Sequence, residues 1–166
     1  MGEGPRYRMK LKRRLEGRTD YRQRLALLKS GKPRAVVRLT NRSVNVQIID
    51  YDPVGDEVIT EANSNHLEEY GWTGHGRNIP SAYLVGYLAG KKALKEGVDE
   101  AVLDIGLNEP HKGCRCFSAL NGLVDAGVDI PHDPGILPEE DRVKGAHIGD
   151  EIVKQFEDVK NKLEEL

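Results

Sequence analysis

Arg6, Arg8, Lys10, Lys12, Arg13, Arg14, Arg18, Arg22, Arg24, Lys29, Lys32, Arg34, Arg38 and Arg42 lie within residues 4–42, which hold only two acids, Glu16 and Asp20. Tyr7 and Tyr21 stand among these cations. Fixed positive charges neutralise phosphates and release their condensed counterions, and an aromatic face can stack on an unpaired base. The chemistry on offer is polyanion binding. With Glu3, residues 1–42 sum to about +11, while residues 43–166 sum to about −13, so the whole-chain charge of −2 hides a basic arm on an acidic body. The arm has no broad apolar face to lay into a bilayer, which argues against an anionic membrane as the partner.

Other candidate groups are weaker. His111, Cys114 and Cys116 form an H-x-x-C-x-C cluster, but zinc sites usually combine CxxC-type pairs. A Cys–His nucleophile would still need a third group and an oxyanion site. Gly71, Gly74 and Gly76 surround His75 and precede Arg77; this loop is either a clamp on RNA backbone or a plain connection, since no GxGxxG or GxxxxGK[ST] pattern is present. Glu68-Glu69 and Glu139-Glu140 are sequence neighbours that diverge, so they read as solvated faces. Lys112 and Arg115 flank Gly113 at a helix start, where the dipole favours phosphate. Arg142, Lys144 and His147 either touch RNA or pair locally with Glu139, Glu140 and Asp141.

The elements that must position these groups follow from period and punctuation. Residues 1–18 have no apolar period and read as extended until a partner orders them. Asp20 caps a short helix over 20–30, with Tyr21, Leu25 and Leu28 as its apolar seam and Gly31 as its stop. Three strand-like runs follow at 35–39, 44–51 and 57–62; Thr40, Asn41 and Arg42 form the first link, and residues 52–56 form a hairpin loop. Together they predict an antiparallel meander. Residues 63–79 read as a polar, glycine-rich connection. A helix from about 80 to 96 carries a flat face of Ala82, Val85, Gly86, Ala89, Gly90 and Ala93, suited to close packing on a sheet. Residues 101–107 form an apolar strand, so a crossover unit is expected. A helix ends at Gly127, residues 130–138 form an irregular loop, and an amphipathic helix spans 148–166. The predicted fold class is α/β: one mixed sheet packed by helices, with an arm over 1–34 and the folded domain over 35–166.

Length suits one domain with appendages. Hydrophobic content of 38% is low and charge of 31% is high, which fits a surface devoted to a charged partner. The two cysteines, one residue apart, cannot easily bridge each other, so a reducing cytoplasm is the default. Neither a signal peptide nor a spanning segment is read in the sequence. RNA is preferred over DNA, because unpaired bases suit the tyrosines and no helix reads as a major-groove probe.

Several strings are specific. They are GPRYRMKLKRR at 4–14, RTDYRQRLALLKSGKPR at 18–34, RLTNR at 38–42, NIPSAYLVGYLAG at 78–90, EAVLDIGLN at 100–108, DAGVDIPH at 125–132 and KGAHI at 144–148. On these the chain resembles the archaeal form of the universal large-subunit ribosomal protein eighteen family. The resemblance implies an α/β sandwich without catalytic residues or cofactor, located in the cytoplasmic ribosome. It implies that the partners are 5S ribosomal RNA, the large ribosomal RNA in the central protuberance, and neighbouring large-subunit proteins. It assigns RNA contact to Arg6, Arg8, Lys10, Arg13, Arg14, Arg18, Arg22, Arg24, Lys32, Arg34, Arg38 and Arg42, to Thr40 and Asn41 in the matching turn, and to Lys112 and Arg115; Tyr7, Lys12, Tyr21 and Arg77 join these as RNA-binding candidates. The thiols of Cys114 and Cys116 stand where the resemblance leads one to expect small and aliphatic residues.

Overall fold

Val44, Val46 and Ile48 alternate with Asn45 and Gln47, so this strand must bury one face. In the computed structural model, which describes residues 4–166, it does: all three apolar side chains are fully buried. Residues 1–3 of the expected arm lie outside the described residues. The strands are β1 (Arg34–Leu39), β2 (Val44–Asp50), β3 (Glu57–Asn63) and β4 (Val102–Asp104). Their order across the sheet is β3-β2-β1-β4, with β1–β2 and β2–β3 antiparallel and β1–β4 parallel. The expected mixed sheet is therefore present. The crossover, however, spans its whole width, from the β3 edge to the β4 edge.

The helix that makes this crossover is α3 (Ile79–Lys95), numbered after the single turn α1 (Lys12–Leu15) and the short α2 (Tyr21–Leu28). Asn78 caps α3 by accepting the Ser81 N–H at 2.8 Å, and Pro80 sits in the first turn, where its missing N–H costs nothing. One side of α3 covers the sheet: Leu84 and Leu88 join Val37, Val46, Ile48 and Ala62 in one core. Its glycines do something other than expected. Gly86 and Gly90 do not simply flatten α3 against the sheet; they face α4 (Arg115–Asp125). A Cβ on Gly86 would lie 2.0 Å from the Ala119 carbonyl oxygen, and one on Gly122 would lie 2.1 Å from that of Tyr83. The two helices touch backbone to backbone, so neither glycine can carry a side chain.

The last helix, α6 (Asp150–Glu164), is preceded by α5 (Glu140–Lys144), a short turn the sequence pattern did not foretell. Phe156, Val159 and Leu163 bury the α6 stripe, while Ile148 at 46% and Leu166 at 42% exposure fall outside the packed part. The Phe156 ring meets Tyr83 at 5.3 Å between centroids, and the Tyr83 hydroxyl donates to Asp125 at 2.6 Å. That contact joins α3, α4 and α6. The polar 63–79 stretch also holds more order than expected. A 3-10 helix, Ser64–Tyr70, starts at Asn63, and Trp72 behind it is 3% exposed.

Gly86→Ala should destabilise the fold by about 3 kcal/mol or more, because backbone on backbone leaves no side chain to move aside. Gly55→Ala, where an added Cβ meets nothing within 4 Å, should shift the urea midpoint little. Equal midpoints for the two variants would remove the close-contact account.

Candidate nucleic-acid interface

The two-residue strand period puts Arg34, Val36 and Arg38 on the face of β1 opposite Ala35 and Val37. Asp104 is paired with Val36 across the parallel ladder, so it shares that face. An ionic cluster results. Arg34 is 2% exposed; its Nη1 donates to Asp104 Oδ2 at 2.9 Å and its Nη2 to Asp56 Oδ2 at 2.6 Å. Arg24 of α2 reaches Asp56 from the other side, with Nη2 at 2.8 Å from both carboxylate oxygens. Arg38 Nη2 donates to Asp104 Oδ1 at 3.1 Å, while its Nη1 donates to the carbonyl oxygens of Val37 and Asp104. Burial pushes the Asp56 carboxyl upward, but the hydrogen bonds and charges of Arg24 and Arg34 outweigh it and hold the group below its ordinary value.

This changes the reading of two sequence features. Arg34 was expected to touch RNA, yet it is enclosed by two carboxylates beneath the surface and serves the fold. Of the apolar seam read in α2, Tyr21 and Leu28 are half-buried, whereas Leu25 is 57% exposed, and no residue of the helix is fully buried. Its position depends on the Arg24–Asp56 pair and on Asp20, whose carboxylate accepts the Arg22 and Gln23 N–H groups. The missed partners, Asp56 and Asp104, carry one sequence signal. Asp104 is a charge inside an otherwise apolar strand, which requires a counterion.

Around this cluster the structure gathers several candidate residues. Arg13, Arg18, Tyr21, Arg24 and Arg38 line one open crevice of about 660 Å³, completed by Tyr51, Asp52, Gly106 and Leu107. Arg13 Nε donates to Thr19 Oγ1 at 2.9 Å, Arg18 lies 3.1 Å from Glu16, and Arg14 lies 3.7 Å from Asp20. These exposed pairs are weak and screened, so a polyanion can replace them. Arg6, Tyr7, Arg8, Lys10, Lys12 and Arg22 are exposed, and Lys32 pairs with Glu100.

A second group forms at the β1–β2 turn. Thr40 Oγ1 is used inside the turn, accepting the Ser43 N–H at 2.9 Å. Arg77 Nη1 donates to Asn41 Oδ1 at 3.5 Å, and Arg42 lines a crevice of about 420 Å³ with Trp72 and Gly74. The loop glycines have packing reasons. A Cβ on Gly76 would lie 2.8 Å from the Arg42 carbonyl oxygen, and one on Gly74 would lie 2.7 Å from the Trp72 ring. They press the loop onto the turn and onto Trp72. Lys112 is exposed and Arg115 is half-buried at the start of α4. Lys144 bridges to Glu140 at 2.6 Å, which is the local pairing weighed for that segment. Cys114 and Cys116 are free thiols. The Cys116 thiol beside it draws Cys114 below the ordinary thiol value, and the same contact together with burial pushes Cys116 up. Among the described residues, no group of three or more His, Cys, Asp or Glu could hold a metal ion, and no helix is long and apolar enough to cross a membrane.

A sheet domain with cations around two open crevices, one beside α2 and one beside the β1–β2 turn, suits a macromolecular polyanion met across a surface. The family described as "Ribosomal large subunit proteins 60S L5, and 50S L18" matches residues 5–100 and 96–133. The large ribosomal subunit protein uL18 of Korarchaeum cryptofilum is 57% identical over 148 residues, 89% of this chain and 76% of that protein. Its counterpart in Thermofilum pendens is 55% identical over the same shares, and that of Haloarcula marismortui is 51% identical over 150 residues, 90% of this chain and 80% of that protein. The chain belongs to this family of large-subunit ribosomal proteins, a structural, non-enzymatic class.

Removing Arg34 strips buried Asp104 of one of its two guanidinium partners, leaving only Arg38, so Arg34→Ala should cost about 3 kcal/mol of stability. Arg22→Ala, on the exposed side of α2, should leave the melting temperature in place and reduce the salt slope of RNA binding by about one. The opposite pattern would exchange the roles given to these two arginines. Because the folded-state Asp56 carboxyl is depressed from 3.8, its contribution is complete above that value and is lost as pH falls through the lower folded-state value. Acid unfolding should therefore be shallower in Asp56→Asn, which is less stable at neutral pH. Parallel acid limbs for the two chains would show that Asp56 is not the group responsible.

Proposed function

We propose that this ribosomal chain binds 5S ribosomal RNA through its basic arm and the adjoining end of the sheet, and helps attach it to the large ribosomal RNA in the central protuberance. The observation that carries this reading is the meeting of Arg13, Arg18 and Tyr21 of the arm with Arg38 of β1 around one open crevice. The exposed cations Arg6, Arg8, Lys10, Lys12, Arg14 and Arg22 extend the same positive surface along the arm. Arg42, Arg77, Lys112 and Arg115 offer further contacts for the large RNA. Arg24 and Arg38 act partly through the fold, since each also neutralises a carboxylate of the ionic cluster. Binding is by phosphate neutralisation with local stacking, and no bond is made or broken. Neighbouring large-subunit proteins are the remaining partners under this reading.

The test is filter binding of the full chain, and of a chain lacking residues 1–18, to 5S ribosomal RNA and to an unrelated folded RNA of equal length. The truncation stops before Asp20 so that α2, Arg24 and Arg34 keep their places. The full chain should prefer 5S RNA, with a steep salt dependence, and the truncated chain should lose most of its affinity. Equal binding of the two RNAs by the full chain would overturn the 5S assignment.

A further inference from the structure

We propose that the crevice between α2 and the loop after β2 captures a single unstacked RNA nucleotide, with its base against Tyr51 and Tyr21 and its phosphate at Arg13 and Arg18. This rests on the RNA reading above and adds to it a place where a base, not only backbone, is held. The distribution of charge across the crevice is the first argument. At its floor the guanidinium groups of Arg24 and Arg38 are already matched to Asp56 and Asp104. The floor therefore has little net charge to offer a phosphate. Its rim is different: Arg13 and Arg18 engage only a hydroxyl and an exposed carboxylate there, and both pairs can be exchanged for a phosphate. Negative charge is thus welcome at the mouth and an uncharged ring is welcome inside.

Aromatic exposure is the second argument. Tyr51 is 52% exposed at the end of β2, although its neighbours Ile48 and Ile49 are buried. Tyr21 lines the opposite side from α2. Tyrosine faces at such positions give a sequence-tolerant stacking platform. Gln23 and Asp52, also on the lining, supply a donor and an acceptor for a base edge. The volume of about 660 Å³ is ample for one nucleotide, and the crevice is open enough for the flanking strand to leave along the arm.

The separating experiment uses Tyr51→Leu, an exposed change that leaves the ionic cluster intact. Its affinity for 5S ribosomal RNA should fall about tenfold, the loss expected for one base stack, while the salt slope stays that of the unaltered chain because no phosphate contact is removed. Ultraviolet crosslinking of the unaltered chain should join Tyr51 to one unpaired nucleotide. Unchanged affinity of Tyr51→Leu would overturn the capture site, and so would an affinity loss accompanied by a reduced slope. Failure of the underlying RNA reading has a different signature, since the unaltered chain itself would then show no preference for 5S RNA.

Discussion

One buried guanidinium holds two parts of this molecule together. Arg34 lies between Asp104 of β4 and Asp56 of the loop before β3, and Asp56 in turn holds Arg24 of α2. Burying Arg34 and Asp104 costs several kcal/mol each unless they are paired, and the partly exposed Asp56 and Arg38 complete that pairing, so the cluster is stable only as a set. Its geometry therefore fixes the parallel β1–β4 pairing and the place of α2 at the same time. Because α2 only half-buries Tyr21, Leu27 and Leu28, the Arg24–Asp56 pair supplements a weak hydrophobic seat. A helix held in this way responds to salt and to competing anions, as the proposed contact with RNA would require.

The other constraint is the contact between α3 and α4. Gly86 and Gly122 let the two backbones meet, and this draws the start of α4, with Lys112 and Arg115 before and within it, toward the same end of the sheet as Arg38. The Gly106 turn completes the connection: a Cβ there would lie 3.0 Å from the Arg38 guanidinium, and its N–H donates to Asp104 at 2.9 Å. Core packing and surface charge are thus linked through β1. Its residues Ala35 and Val37 bury in the core on the helical side of the sheet, where α4 meets the strand, while Arg34 and Arg38 organise the opposite face.

Charge separation along the chain matches this division of labour. The acids of the body neutralise internal cations or solvate α6, whereas the exposed arm cations engage partners that are weak in water. Surface pairs such as Arg13–Thr19 contribute little to folding, and for that reason they can be exchanged for phosphate at little cost.

Much was legible beforehand. Alternation in β2, the cap at Asn78 and the three-to-four spacing of Phe156, Val159 and Leu163 named the elements, because each depends on neighbours in sequence. The excess of cations in residues 1–42 was legible as charge, which needs no fold to be counted. What only the tertiary structure decided was which cations remain available and which are consumed. Arg34 and Arg22 look alike in sequence; the first is enclosed by carboxylates 22 and 70 residues away, and the second faces water. The backbone partner of Gly86 was hidden for the same reason. Composition and period report local preference, whereas the pairing of a buried charge or a bare backbone depends on residues that only folding brings together.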